Sequence, residues 1–254
     1  MLAVVLSSVL AFQEPAPEPN PAPPNVTPAT PAPAPAVPVV AWDDKTAKTA
    51  VDEFGKQTKG TPSMAEKNQA LDGLAGGSHK LLVKPLAQFI ETDKSVVLRR
   101  RAAELLANQP PADANGTIRR LLKNARVGSA PTVQGELVRG LARCGYDKAQ
   151  WNEVGDLFER EYHPERVPVQ EAVLDLVIAH KEAQALPLLL RNLDEPVPEN
   201  VDDASNPPAE YWEARWKSWS AWRGKVKDAL FAVTGQRFST AAEAKAWLKK
   251  NPVK

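Results

Sequence analysis

Cys144 is the one cysteine in 254 residues, so no disulfide can close within the chain and no all-cysteine metal site can form. Histidine is nearly as scarce. His79, His163 and His180 are too few for a histidine-rich metal centre, and no HExxH pair occurs. An excess of one charge is also lacking, with 32 Lys and Arg against 31 Asp and Glu, which gives no electrostatic ground for a nucleic-acid partner. A serine nucleophile elbow and a phosphate-cradling glycine loop are both missing. Apolar runs are too short to cross about 30 Å of hydrocarbon, so no integral membrane span is expected. The sequence calls for no metal or cofactor and offers no catalytic residue.

What is there begins with residues 2–12 (LAVVLSSVLAF), an apolar run followed at once by Gln13 and Glu14. Its length and its ending in small residues match the apolar region of an export signal, with cleavage after Ala11. Residues 1–11 are therefore read as a signal and residues 12–41 as a spacer. Eleven of the 24 prolines lie between residues 15 and 38. Proline lacks an amide donor and restricts its predecessor, so this stretch favours extended polyproline II rather than a fold. It holds no basic residue, which argues against a simple SH3-type ligand. Two triplets, Asn25-Val26-Thr27 and Asn115-Gly116-Thr117, match glycosylation acceptors, of consequence only in a eukaryotic secretory route.

From Trp42 onward apolar residues recur at three and four, and no sustained strand alternation is seen, which sets the class as all-α. In residues 96–108, Leu98, Ala102, Leu105 and Leu106 share a stripe that Pro110 and Pro111 terminate. Pro131 opens a helix with Val133, Leu137, Val138 and Leu141 inward. Asp147 caps the next, which carries Trp151, Val154, Leu157 and Phe158. Pro168 opens another with Val169, Ala172, Val173 and Leu176, and residues 185–193 supply one more. The inward positions Leu71, Ala102, Leu137 and Val173 are 31, 35 and 36 residues apart, the length of two helices with their turns. Such pairs bury their stripes by stacking, although periodicity alone also fits an ordinary bundle.

Residues 93–107 (DKSVVLRRRAAELLA) resemble the second helix of a HEAT-type repeat, with Asp93 in the turn, Leu98-Arg99 next, then Ala102 and Leu106. The resemblance implies that Asp93 and Arg99 support successive inter-helix turns. A loop carboxylate can accept from backbone amides and from a guanidinium fork. The later copies depart from it, with Gln134 and Gln170 at the arginine position and Gly128 and Pro164 where aspartate would stand. Residues 42–193 thus resemble a short right-handed α-solenoid of HEAT-like helix pairs. Globally the chain is similar to exported bacterial HEAT-repeat proteins, and residues 230–248 resemble a closing tail found in several of them.

Residues 194–208 switch to Pro, Asn, Asp and Glu and read as a loop, leaving residues 209–254 for a closing helix pair. In its long first helix, Trp212, Trp216, Trp219 and Trp222 fall within about 120° of the surface. Buried, they would seal the end of a repeat array, with Trp216 and Trp219 innermost and Trp222 toward one edge. Phe231, Phe238 and Trp247 are the expected partners, on a last helix opened by a Thr240–Glu243 capping box. Exposed, Trp212 and Trp222 with nearby cations could hold a sugar or peptide.

Arg99, Arg100, Arg101, Arg119, Arg120 and Lys123 are the densest basic cluster. Of these, Arg100, Arg119, Arg120 and Lys123 are candidate binding residues. Interspersed Glu91, Asp93, Glu104 and Asp113 favour a self-compensated face. The leading expectation is a non-catalytic, exported interaction scaffold, periplasmic or extracellular, that binds a protein or envelope component. The alternatives are an enzyme or enzyme subunit on a helical-repeat frame, of lyase or glycosylase type, and a carbohydrate-binding module built on the tryptophan helix. Amino-terminal sequencing of the exported form should begin at Phe12; a start at Met1, or recovery in the cytosol alone, would remove the signal assignment.

Overall fold

The computed structural model describes residues 38–198 and 203–253; the signal and nearly all of the proline-rich spacer lie outside the described residues. The end of the stretch assigned to the spacer belongs to the folded body. Strand β1 (Val40–Ala41) pairs in parallel with β2 (Gly77–Ser78), and the Trp42 ring lies flat against Gly77, where no side chain could fit.

The described chain is otherwise helical. Helices α1 (Asp44–Gln57), α2 (Met64–Asp72), α3 (Lys80–Thr92), α4 (Val96–Leu106) and α5 (Pro111–Leu122) lead to the single turn α6 (Ala125–Gly128). There follow α7 (Pro131–Arg143), α8 (Trp151–Glu159), α9 (Val167–His180), α10 (Leu186–Arg191), α11 (Ala209–Thr234) and α12 (Ala241–Lys250). Local chemistry sets their starts. Asp43, Ser63, Ser95 and Asn124 each accept an amide of the first turn, and Ser63–Glu66 closes a full capping box. Asp147 and Gln150 form the same box ahead of α8. At α12 the box is half made. Thr240 accepts from the Glu243 amide, but the Glu243 carboxylate takes the Ser239 amide instead of that of Thr240.

The helices pack as neighbouring pairs, α1 with α2, α3 with α4, α5 with α7, α8 with α9 and α10 with α11. Within one row α2 contacts α4, α4 contacts α7, α7 contacts α9 and α9 contacts α11; on the other side α1 meets α3 and α3 meets α5. Leu71, Ala102, Leu137 and Val173 are all fully buried along the first row, as are Leu98 and Leu106. A stripe of about 100° per helix is what such stacking needs, because each helix meets its partner and the next pair at once.

A glycine lets two helices of that row approach closely. A Cβ at Gly135 on α7 would stand 2.6 Å from the Pro168 carbonyl oxygen at the start of α9. Both sides of that contact are backbone, so relief requires the helices to move apart. Gly135→Ala should therefore lower stability by about 1–3 kcal/mol, despite a helix-propensity gain of about 0.5–1 kcal/mol. A urea unfolding curve checks it; an unchanged or raised midpoint would mean α7 and α9 can separate at no cost.

Candidate functional site

A buried polar ladder links successive pairs. At its first step Asp93, buried in the α3–α4 turn, accepts from the Ser95 amide at 2.7 Å and the Lys67 ammonium at 2.6 Å. Arg99, 4 % exposed, donates Nε to the Ile90 carbonyl at 2.6 Å and Nη2 to the Arg126 carbonyl of the next pair at 3.0 Å. Burial, and the nearby Arg126 guanidinium, pull its pKa below the usual arginine value. Arg126 reaches back to the carbonyls of Thr92 and Asp93 at 2.9 and 3.3 Å.

At the second step Gln134 donates to the Leu122 carbonyl and accepts from Arg166 at 2.8 Å. At the third, Gln170 donates to the carbonyls of Phe158 and Glu161, both at 3.3 Å, and accepts the Trp222 indole N–H at 2.9 Å. The exchange of Arg for Gln follows from what the next pair presents. Arg126 offers a carbonyl, so Arg99 must donate. Arg166 and Trp222 offer donors, so an amide that also accepts is required.

The basic cluster is not a free stripe. Arg99 is internal, and Arg101 pairs with Asp72 and Asn68. Arg119 forks onto Glu153 at 2.9 and 3.2 Å, Lys123 joins the same carboxylate at 2.9 Å, and Arg120 pairs with Glu91. The two cations hold the Glu153 carboxyl below the usual range, and Glu153 raises Arg119 in turn. Arg139 and Lys225 share Asp175 at 3.2 and 2.8 Å. Exposed pairs of this kind contribute about 0–1 kcal/mol each, so they orient neighbouring helices more than they stabilise them. Of the basic binding candidates Arg100 alone is exposed with no carboxylate in ion-pairing distance among the described residues.

On α11 the order of burial differs from the sequence expectation. Trp222 is fully buried and Trp219 is 7 % exposed, while Trp216 is 46 % exposed and Trp212 is intermediate. Trp222 thus leaves the list of binding candidates, and Trp216 leaves that of core residues. The inward face is fixed by Ser218, Trp222, Val226 and Ala229, rotated away from the mean of the four tryptophans. Trp222 lies 5.1 Å from the Phe158 ring. Trp216 instead donates its indole N–H to Glu195 at 2.6 Å. Arg215 lies over the Tyr162 ring at 4.7 Å, 5.8 Å from Trp212. Phe238 and the half-buried Trp247 meet at 5.5 Å, whereas Phe231 is exposed beneath Arg237.

The cysteine and the three histidines are each tied to a neighbouring backbone group. The Cys144 thiol is buried against the Ala107 carbonyl at 3.1 Å, and burial pushes its pKa up, away from a thiolate nucleophile. His180 bonds the Ala142 carbonyl at 2.9 Å, while His79 and His163 cap helical turns. The Asn115 amide donates to the Cys144 and Gly145 carbonyls, so that acceptor triplet is committed to a turn. Among the described residues no three His, Cys, Asp or Glu side chains converge as a metal site, and no helix is long and apolar enough to cross a membrane.

One concavity was not legible in the sequence. A groove of about 740 Å³ lies between the C-terminal halves of α1 and α3, closed by the loop after α1 and the turn before α4. Phe54 and Phe89, with ring centroids 5.7 Å apart, form its floor. Lys59, Lys84 and Lys94 stand around it, and Lys67 bridges to Asp93 beside them. Compared with protein families, curated proteins and solved structures, the chain matches none.

Trp222→Ala should cost roughly 3–5 kcal/mol, and Trp216→Ala no more than about 0.5 kcal/mol. Paired urea curves on the two variants check this. Equal losses would mean that α11 seats itself by its whole aromatic stripe.

Proposed function

We propose that the protein is an exported, non-catalytic interaction scaffold, a short right-handed α-solenoid of HEAT-like helix pairs closed by α11 and α12. Its partner is a protein or cell-envelope component, met outside the cytoplasm in the periplasm or extracellular space of a bacterium. The row of pairs α2–α4–α7–α9–α11 and the ladder through Asp93, Arg99, Gln134, Gln170 and Trp222 support the solenoid part of this reading. One observation carries the binding part. Several charged groups of neighbouring helices are committed to one another, whereas Lys59, Lys84 and Lys94 around the groove over Phe54 and Phe89 have no carboxylate in ion-pairing distance among the described residues. Recognition surfaces of repeat proteins are broad and open, without convergent titrating groups, and this face has that character.

A second reading has its own observation. Trp216, exposed and oriented by Glu195, could serve as a stacking platform for a saccharide. Affinity capture from envelope fractions, using the processed protein and its Trp216→Ala variant as baits, separates the two. The scaffold reading expects one partner, recovered by both baits and rebound in purified form. Loss of the partner with Trp216→Ala, at unchanged stability, would transfer the function to the tryptophan platform. Failure of any purified partner to rebind would overturn the scaffold.

A further inference from the structure

The groove between α1 and α3 has a composition that specifies its occupant. Its lining combines an apolar part, Phe54, Phe89, Val51, Pro62 and Pro85, with polar and charged groups. Its rim is cationic, and the one acidic residue lining it, Asp93, is neutralised by Lys67 at 2.6 Å. Among the described residues no carboxylate lies within ion-pairing distance of Lys59, Lys84 or Lys94. The cations at the end of the neighbouring helix differ. Arg120, on the adjacent α5, pairs with Glu91, and Arg119 and Lys123 share Glu153. Three ammonium groups left without partners repel one another, and an anionic ligand relieves that repulsion.

Shape decides between the anions. The lysines stand around a trough bounded by two helices, a loop and a turn, so a planar membrane could touch the rim but not the phenylalanine floor. A small inorganic anion would satisfy the rim and leave the floor unfilled. An extended chain that alternates acidic and apolar side chains satisfies both, with one set of side chains directed to the floor and the other to the rim. Thr61 and Gln88 along the edges offer a hydroxyl and an amide to its backbone, and the Thr58 and Thr92 hydroxyls, which donate to the Phe54 and Gln88 carbonyls, can still accept.

We propose that this groove binds an acidic, extended peptide segment of the partner, anchored by an apolar side chain over Phe54 and Phe89. The assignment rests on the scaffold reading and names the chemistry of its partner.

The test uses a fluorescein-labelled peptide of repeating Asp-Leu-Asp-Phe, read by anisotropy against the full processed chain. A Lys-Leu-Lys-Phe peptide, inorganic phosphate and phosphatidylglycerol vesicles serve as comparison probes. The acidic peptide should bind at least about tenfold more tightly than the basic one and weaken as salt rises. Lys84→Glu with Lys94→Glu should weaken it by about tenfold or more. Gly55→Trp, at a groove-lining position where a side chain meets open space, should abolish it by filling the trough. Thermal melts of the variants matching the parent exclude unfolding as the cause.

Equal binding of the two peptides, or indifference to both sets of variants, would overturn the proposal. So would competition by phosphate as effective as that by unlabelled peptide, or vesicle binding without peptide binding. Should the acidic peptide fail while envelope capture still recovers a partner with the Lys84→Glu, Lys94→Glu bait, the groove assignment falls and the scaffold stands. Should neither peptide nor any captured partner rebind, both fall.

Discussion

Three buried side chains on equivalent helices, Arg99, Gln134 and Gln170, hold the rest of the molecule in register. Arg99 and Gln170 donate to carbonyls near the end of the preceding helix, Gln134 reaches one at 3.5 Å, and each meets a group from the following pair. Without them, helix-end carbonyls would be buried with no donor, at about 1–3 kcal/mol each. Apolar packing between rows is non-directional and would tolerate small slides. The polar contacts do not, because an amide or guanidinium must meet its partner within a few tenths of an ångström. Directional bonds thus set the register that the apolar stripes leave free.

On that frame the surface charges fall into order. The pairs Arg101–Asp72, Arg120–Glu91, Arg119–Glu153, Arg139–Asp175 and Arg191–Glu159 are separated by 29 to 36 residues, about one helix pair along the chain. Stacking brings equivalent positions of successive pairs face to face, so opposite charges at that spacing meet. The α1–α3 groove lies at the start of the array, where this pattern has not supplied carboxylates for Lys59, Lys84 and Lys94.

Helix positions and inward residues were legible because their causes are local. Spacings of three and four placed Leu98, Ala102, Leu106, Leu137 and Val173, and Asp147 was readable as a cap from its own neighbourhood. The orientation of α11 was not. Four tryptophans suggested a stripe centred on themselves, but the inward face is set by Gln170 and Phe158, some fifty to sixty-five residues earlier, which Trp222 meets. Val226, Ala229 and Leu230, in line with Trp222, were the signal that could have set the rotation. The groove was beyond reach for a different reason. Its rim lysines come from the loop after α1, from α3 and from the turn before α4, which share no sequence motif.

The Trp222 indole carries one N–H and no acceptor. It donates that N–H to the Gln170 oxygen, as Arg166 donates a guanidinium N–H to the Gln134 oxygen one step earlier. The Gln170 side-chain oxygen therefore depends on one ring for its donor: a phenyl group in place of the indole could keep the contact with Phe158 but would leave that oxygen buried and unpaired.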